Sequence, residues 1–406
     1  ICPICGTHLE VIGKETVRKE LEYIPATLKV VEYVSVHYGC PKCKTDEEKP
    51  NIIHAPVPPA LLRSYASPSI VAWVIYSKYV NGMPLYRQEK DWLQYGFELS
   101  RATMANWVIE CTDKYLRVLY EFYHRLLLSR GFAMADESPI QVLKEEGREA
   151  TAKSYMWLFR SGEDDTPPIV LYKYASTRSG DVAKEFLKGF NGYLMADGYT
   201  GYNKVQDIKR CCCFAHIRRY FFDAIPKGKN RDISCPAVQG VEYCDKLFAY
   251  ERHFKEKGYS YKQIKNGRLK KEKPVIEAFL SWLEKQKPIK GSKFATAVTY
   301  ALNRKEHMMT YLEDGRCSLS NNLSEQKMKS YVIGRKGWLF SDSPEGAEAS
   351  AISYSIAETA LANRLNVYKY ITYVLEKRPT EEMADSELEK LLPWNDKVFE
   401  MCKIER

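Results

Sequence analysis

Apolar and polar positions along the chain change period several times, and each change marks an element or a boundary. Between Leu21 and Tyr38, most clearly from Lys29 to Val36, residues rich in Val, Tyr and Ile alternate with polar ones, the pattern of a hairpin. Pro50, Pro56, Pro58, Pro59 and Pro68 then crowd a stretch that can continue neither a helix nor a central strand, so it reads as a linker. Helical spacing follows in Ser69 to Val80 and in Leu85 to Tyr95, with Pro84 at a helix start. Ser100 caps a third, long segment reaching about Ser129. From Gly131 the period becomes that of strands, in Phe132 to Asp136, Ile140 to Leu143, Tyr155 to Phe159 and Ile169 to Tyr174. Ser179 caps a helix ending near Gly189, a further strand runs into Asp197, and the apolar run Cys211 to Ala215 leads into a helix carrying His216, Arg218 and Arg219.

Beyond Pro226 the pattern is basic and helical, without a strand, up to about residue 315. Helical segments return from Pro344 to Asn363 and from Val367 to Lys377. These short strand runs, then a helix, a strand, and a further strand and helix predict an α/β fold: a mixed sheet with flanking helices, in the order of an RNase H-like fold, interrupted by a helical insertion. The expected divisions are a zinc ribbon over 1–49, a Pro-rich linker over 50–68 and a helical, DNA-binding domain over 69–129. A first part of the core covers 130–225, a basic insertion 226–316, a second part of the core 317–378 and a tail 379–406. Arg87, Lys90, Arg101 and Lys114 in the helical domain are available for phosphates, and solvated helix faces read equally well.

Two of the strands run straight into an acid. Gly192 to Ala196 delivers Asp197, after which Gly198 and Gly201 let the chain turn, and Gly131 to Ala135 carries Asp136 in the same way. Acids that simply end strands in turns are common. A matched pair is what a divalent-metal site requires, since Mg²⁺ takes oxygen ligands and often only one or two protein carboxylates. A third acid, Glu325, falls on the first turns of a helix that Ser318, Ser320, Asn321 and Asn322 would cap, where it faces inward or serves the helix dipole. Gly334 to Phe340 reads as a glycine-flexed basic loop, with Arg335 and Lys336 beside Trp338.

Composition narrows the setting. The 406 residues allow two to four domains, and 45% hydrophobic residues make them globular. A formal charge of +9 and 29 tyrosines suit a polyanionic partner without requiring one. The sequence has neither a long apolar run nor a secretory start, so a cytoplasmic protein is expected. In a reducing compartment 12 cysteines point to metal ligands and buried thiols. Cys2 and Cys5, and Cys40 and Cys43, form two C-x-x-C knuckles, the spacing of a structural Zn²⁺ site with four thiolates. His8 and His37 lie nearby but are not needed to complete that shell, and Cys235 and Cys244 read as ordinary thiols. The chain starts inside the first knuckle, so a preceding segment is expected.

Taken together the motifs resemble the IS66-family transposases, a branch of the DDE transposases. The resemblance rests on the paired knuckles, Ser77 to Val80 with Leu85 to Glu89, Ala135-Asp136-Glu137, Asp197 to Tyr202, Cys213-x-x-His216-x-Arg218-Arg219, Asn321-Asn322-x-x-Glu325 and Gly334 to Phe340. It covers nearly the whole chain. Ser320 stands where many members have an acid, and Gln326 where an arginine is common.

The resemblance implies a catalytic triad of Asp136, Asp197 and Glu325 holding catalytic Mg²⁺ or Mn²⁺, with Asp197 bridging two ions. It also implies cleavage of phosphodiester bonds at insertion-sequence ends and strand transfer into target DNA. His216, Arg218, Arg219, Arg335 and Lys336 are the expected DNA contacts, although His216 equally suits a buried helix start. Expected partners are element ends and target DNA, further copies of the chain on DNA and accessory proteins of the same element. A hydrolytic nuclease of the same fold and an inactive DNA-binding relative are the alternatives.

Overall fold

The computed structural model describes residues 1–11, 13, 18, 20, 27–40, 52–228 and 232–405. It contains two compact units, one of residues 1–59 with 94–97 and one of residues 60–93 with 98–406.

In the smaller unit a tight turn surrounds the first knuckle, with Gly6 N–H donating to Cys2 O and Cys2 N–H to Thr7 O. Strand β1 (His37–Gly39) pairs antiparallel with β2 (Ile52–His54), His37 standing opposite His54. The expected hairpin between Leu21 and Tyr38 is corrected in its described part: residues 27–36 form no strand, and the partner of β1 lies beyond Cys40. Val30, Val31 and Val34 remain largely exposed and, among the described residues, pair with no neighbouring strand. Residues 21–26 and Cys43 lie outside the described residues.

The larger unit is built on a five-stranded mixed sheet of order β5-β4-β3-β6-β7. Before it come helices α1 (Pro68–Tyr79), α2 (Leu85–Gln94), α3 (Arg101–Cys111) and α4 (Arg117–Leu128). Ser67 and Ser100 cap α1 and α3 by accepting from Ile70 N–H and Thr103 N–H. A π-helical turn, Thr112–Leu116, joins α3 to α4, so Ser100 to Ser129 is one continuous helical run.

Strands β3 (Phe132–Gln141), β4 (Lys153–Ser161) and β5 (Val170–Ala175) form an antiparallel meander. Helix α5 (Gly180–Phe186) then leads to β6 (Gly192–Ala196), which lies parallel to β3. Strand β7 (Ile208–Cys212) lies parallel to β6 and feeds α6 (Phe214–Asp223). The strand expected to end at Asp136 continues instead through Pro139 to Gln141. Its pairing with β4 extends to Gln141↔Lys153, whereas its pairing with β6 stops at Met134↔Met195. Pro139, exposed and with a strand on one side only, therefore sits where a missing N–H is tolerated.

Residues 227–315 supply α7 (Pro236–Glu256), α8 (Tyr261–Gly267), α9 (Lys273–Lys285) and α10 (Lys293–Leu302). They do not stand apart from the sheet. Phe132, Met134 and Met195 share one apolar core with Phe214, Ile217 and Phe221 of α6, and with Val241, Phe279, Leu283 and Val298 of these later helices. Arg268, fully buried, fixes the descent from this block toward the sheet: it donates to Glu251 and to the carbonyls of Tyr311, Asp314 and Cys317.

Helix α11 (Asn322–Trp338) follows, then α12 (Pro344–Ala362), α13 (Val367–Lys377), α14 (Asp385–Leu388) and α15 (Asp396–Cys402). The basic loop expected at Gly334 to Phe340 is corrected: Gly334 to Trp338 is the end of α11, and the chain turns only at Leu339, at φ 67°. Its glycines serve close packing, not flexion. A Cβ at Gly334 would lie 2.3 Å from the Tyr354 hydroxyl, and one at Gly337 would lie 2.9 Å from Gly82 O.

Helix α12 is buried along most of its length and closes the outer edge of β5. Ser355 Oγ accepts from Tyr172 N–H, Thr359 Oγ1 accepts from Val170 N–H and donates to Val170 O, and Tyr120 donates to Tyr172 O. Hydroxyls thus satisfy a strand edge that would otherwise invite another chain. Among the described residues no helix is long and apolar enough to cross a membrane.

Candidate active site

Strands β3 and β6 run parallel only through Met134 and Met195, and each then carries an aspartate two residues further on. Successive side chains alternate across a sheet, so Asp136 and Asp197 continue the side of Met134 and Met195, the side shared with the α6 core. Asp197 lies just past the end of β6. Its Oδ1 accepts from Tyr199 N–H at 2.8 Å, and two arginines hold the turn behind it: Arg210 of β7 donates to Asp197 O at 2.9 Å, and Arg304, just after α10, to Gly198 O at 2.8 Å. A Cβ at Gly198 would overlap the Arg304 guanidinium, so only glycine lets that clamp close without displacing it.

The third acid arrives on α11. Asn321 occupies the cap position of this helix, but its side chain makes no capping bond. It reaches the sheet instead, donating from Nδ2 to Ala135 O at 2.9 Å, one residue before Asp136. Asn321 N–H also meets Cys213 Sγ at 3.2 Å, and Phe214 N–H donates to Leu319 O. The start of α11 is therefore tied both to β3 and to the start of α6, which sets Glu325 over the sheet.

The electrostatics follow from this convergence. Burial, with the charges of Glu137, Asp197 and Glu325, pushes the Asp136 carboxyl up to about 7, against one opposing hydrogen bond from Glu137 N–H. Glu137 is also raised, chiefly by burial. It is held by Arg178, at 2.5 Å from Nη2, and by the Tyr202 hydroxyl.

His216 Nε2 lies 3.7 Å from Glu325 Oε1, and Arg219 Nη2 lies 3.6 Å from Glu325 Oε2. Burial lowers the His216 pKa, so the ring is neutral at pH 7. Arg218 is turned away into an ion pair with Asp245 at 2.5 Å. Beside Glu325 opens a groove of about 470 Å³, lined among others by Arg218, Arg219, Arg252, Phe222 and Asn322. Of the five expected DNA contacts, His216 and Arg219 thus lie beside Glu325, and Arg218 lines the groove while paired with Asp245. Arg335 and Lys336 lie at the other end of α11, about 15 Å along the axis by helical rise.

Sequence reasoning missed Arg210, Arg304 and the true task of Asn321. The arginines sit in ordinary basic surroundings with no periodic signal, whereas the doubled asparagine before Glu325 was visible but reads as an ordinary cap.

In the smaller unit, Cys5 Sγ lies 3.3 Å from Thr7 Oγ1. Hydrogen bonds from Thr7 and Cys2 lower its pKa, toward the thiolate form that metals bind. Cys2 and Cys40 are the other described members of the expected zinc set.

Comparison with known proteins agrees with both units. The profile of the zinc-finger binding domain of transposase IS66 matches residues 1–44, which supports a structural zinc, and the IS66 C-terminal element matches residues 355–394. Among similar proteins are the uncharacterized proteins y4hP and y4jD of Sinorhizobium fredii, each 28% identical. The first alignment covers 97% of this chain and 73% of the relative, the second 98% and 78%. The family points to an enzyme of the transposase type that acts on nucleic acid. Because the profile of the IS66 transposase family itself matches residues 63–349, most of the chain, the protein belongs to that family.

Proposed function

We propose that the protein is a DDE transposase that cuts phosphodiester bonds at the ends of its element and joins the freed 3′ ends to target DNA. In this reading its sheet is an RNase H-like core, and Asp136, Asp197 and Glu325 hold Mg²⁺ or Mn²⁺. The observation that carries the reading is the register of Asp136 and Asp197, each two residues beyond the last pair of the parallel strands β3 and β6, with burial and the charges of Glu137, Asp197 and Glu325 raising the Asp136 carboxyl to about 7. Sheet order supports it as well, with three antiparallel strands followed by two parallel ones and the acids where β3 and β6 part.

The residues suit the ion. The charges of Asp197 and Glu325 both act on Asp136, and Glu325 Oε1 is buried without a hydrogen-bond partner. When bound, the metal would supply activation of a water or 3′-hydroxyl and stabilisation of the departing oxygen. The chain itself would do the positioning. Asp136 and Asp197 orient the site from a rigid sheet, and Asn321 fixes the height of Glu325 through Ala135. Arg219, about half exposed, would take a phosphate oxygen in exchange for Glu325.

In the same reading Cys2, Cys5, Cys40 and Cys43 hold the structural zinc, residues 1–49 form the ribbon, and residues 69–129 with the basic block 226–316 bear on DNA. The active form is a multimer on paired ends. Transposition is tested with element-end DNA precut to expose its 3′-hydroxyls, a plasmid target and Mg²⁺. Plasmid joined to the end is expected, and products of hydrolysis alone would replace the transposase with a nuclease.

A further inference from the structure

We propose that Cys213, His216 and Glu325 form a binding site for one thiophilic divalent cation of the Zn²⁺ class, distinct from the ribbon zinc and sharing Glu325 with the acid cluster. One ligand atom from each lies within 4.8 Å of the others. Cys213 caps α6, His216 follows in its first turn, and Glu325 stands in the first turn of α11, so two helix N-termini converge on the trio.

Two further features point to a ligand. His216 Nδ1 and Glu325 Oε1 are both shielded from solvent without a hydrogen-bond partner, an arrangement that costs free energy until something fills it. The set is also rigid at its base, since Cys213 Sγ already receives Asn321 N–H and Phe214 N–H is bonded to Leu319 O. The donor set decides the class of ion. One sulfur, one nitrogen and one oxygen with a fourth position open match Zn²⁺, whereas Mg²⁺ takes oxygen and dehydrates reluctantly. Among the described residues Arg219 is the one permanent cation in salt-bridge reach of Glu325, and with its side chain 56% exposed it can swing into solvent as the ion enters.

A Zn²⁺ here withdraws Glu325 from the acid cluster. That consequence, an ion that silences Mg²⁺-dependent chemistry, rests on the proposed function; the binding itself does not.

Binding is read with Co²⁺, whose thiolate complexes absorb by charge transfer. The full chain carrying Cys2→Ser and Cys5→Ser, which disables the ribbon site, is stripped with chelator and titrated. Saturation at a single equivalent with a sulfur charge-transfer band is expected. Cys213→Ser in the same background abolishes the band. His216→Asn keeps the thiol and weakens binding by about tenfold or more, since loss of even an outer partner of a ligand costs about 10–100-fold. Circular dichroism confirms that each variant is folded, and His216→Asn carries the test if Cys213→Ser is not. Absence of a band in the ribbon-disabled chain overturns the site, as does an unchanged titration in both variants. Neither result bears on cutting or joining of DNA.

Discussion

Asp136 and Asp197 each stand two residues beyond the last register pair of β3 and β6, Met134↔Met195, on neighbouring strands that run the same way. The charge of Asp197 is one of those that raise the Asp136 carboxyl, so repulsion between the two is built into the fold. The proposed metal would turn that repulsion into affinity.

Replacing Asp197 by Asn keeps an oxygen for Tyr199 N–H and leaves the Arg210 and Arg304 clamp on the backbone intact. The variant is expected to fold normally, to lose cutting and joining, and to bind DNA as well as the parent or somewhat better, because a negative charge is gone. Gel shifts alongside cleavage assays check this, and an unchanged cutting rate removes Asp197 from the mechanism.

The raised Asp136 carboxyl has a consequence for stability without metal. Its folded pKa, about 7, exceeds the ordinary value near 3.9, so the native state holds a proton more tightly than the unfolded chain. Stability falls as pH rises from about 4 to about 7 and stays lower above, by roughly 4 kcal/mol at most. Asp136→Asn removes that slope. In chelator, its melting temperature should match the parent near pH 4 and exceed it at pH 8, and Mn²⁺ should raise the parent at pH 8 but not the variant.

Asn321→Ala removes a buried donor and leaves Ala135 O without that partner, a loss of about 1–3 kcal/mol. Because the same bond seats α11 over the sheet, turnover should fall further than stability explains. Comparing denaturant midpoints with single-turnover cutting at a temperature where both proteins are folded separates the two effects.

Arg268 is buried, with two bonds to Glu251 and three to carbonyls of Tyr311, Asp314 and Cys317. Arg268→Met strands those partners and should cost about 3–5 kcal/mol, read as a lower midpoint in urea. Glu251→Gln retains hydrogen-bonding oxygen and should cost less.

How far the sequence carried this reading depends on the range of each signal. Strand period and capping are local, so the order of strands around Asp136 and Asp197, the helices from Pro68 to Leu128 and the absence of a strand pattern between 227 and 315 were readable. Failures came where distant neighbours decide. Glycines at 334 and 337 looked like hinges because nothing local announces Tyr354 or Gly82 packed against them. Alternation from Lys29 to Val36 looked like a strand because a sequence does not say which segment will pair, and the partner of β1 proved to lie beyond Cys40. Asp136 seemed to end its strand because the apolar run stops there, and only the pairing with β4 carries β3 on past it, with one-sided pairing making Pro139 harmless. Arg304 reaches Gly198 across the whole basic block, a relationship with no trace in either segment alone.

The central claim is that Asp136, Asp197 and Glu325 act as one metal-holding cluster on DNA. Its most direct test is incubation of the purified chain with labelled element-end DNA and Mn²⁺, resolving nicked and joined strands on a denaturing gel beside Asp136→Ala. The account predicts nicked and joined products from the parent and neither from the variant. Products of equal yield from both proteins would contradict it.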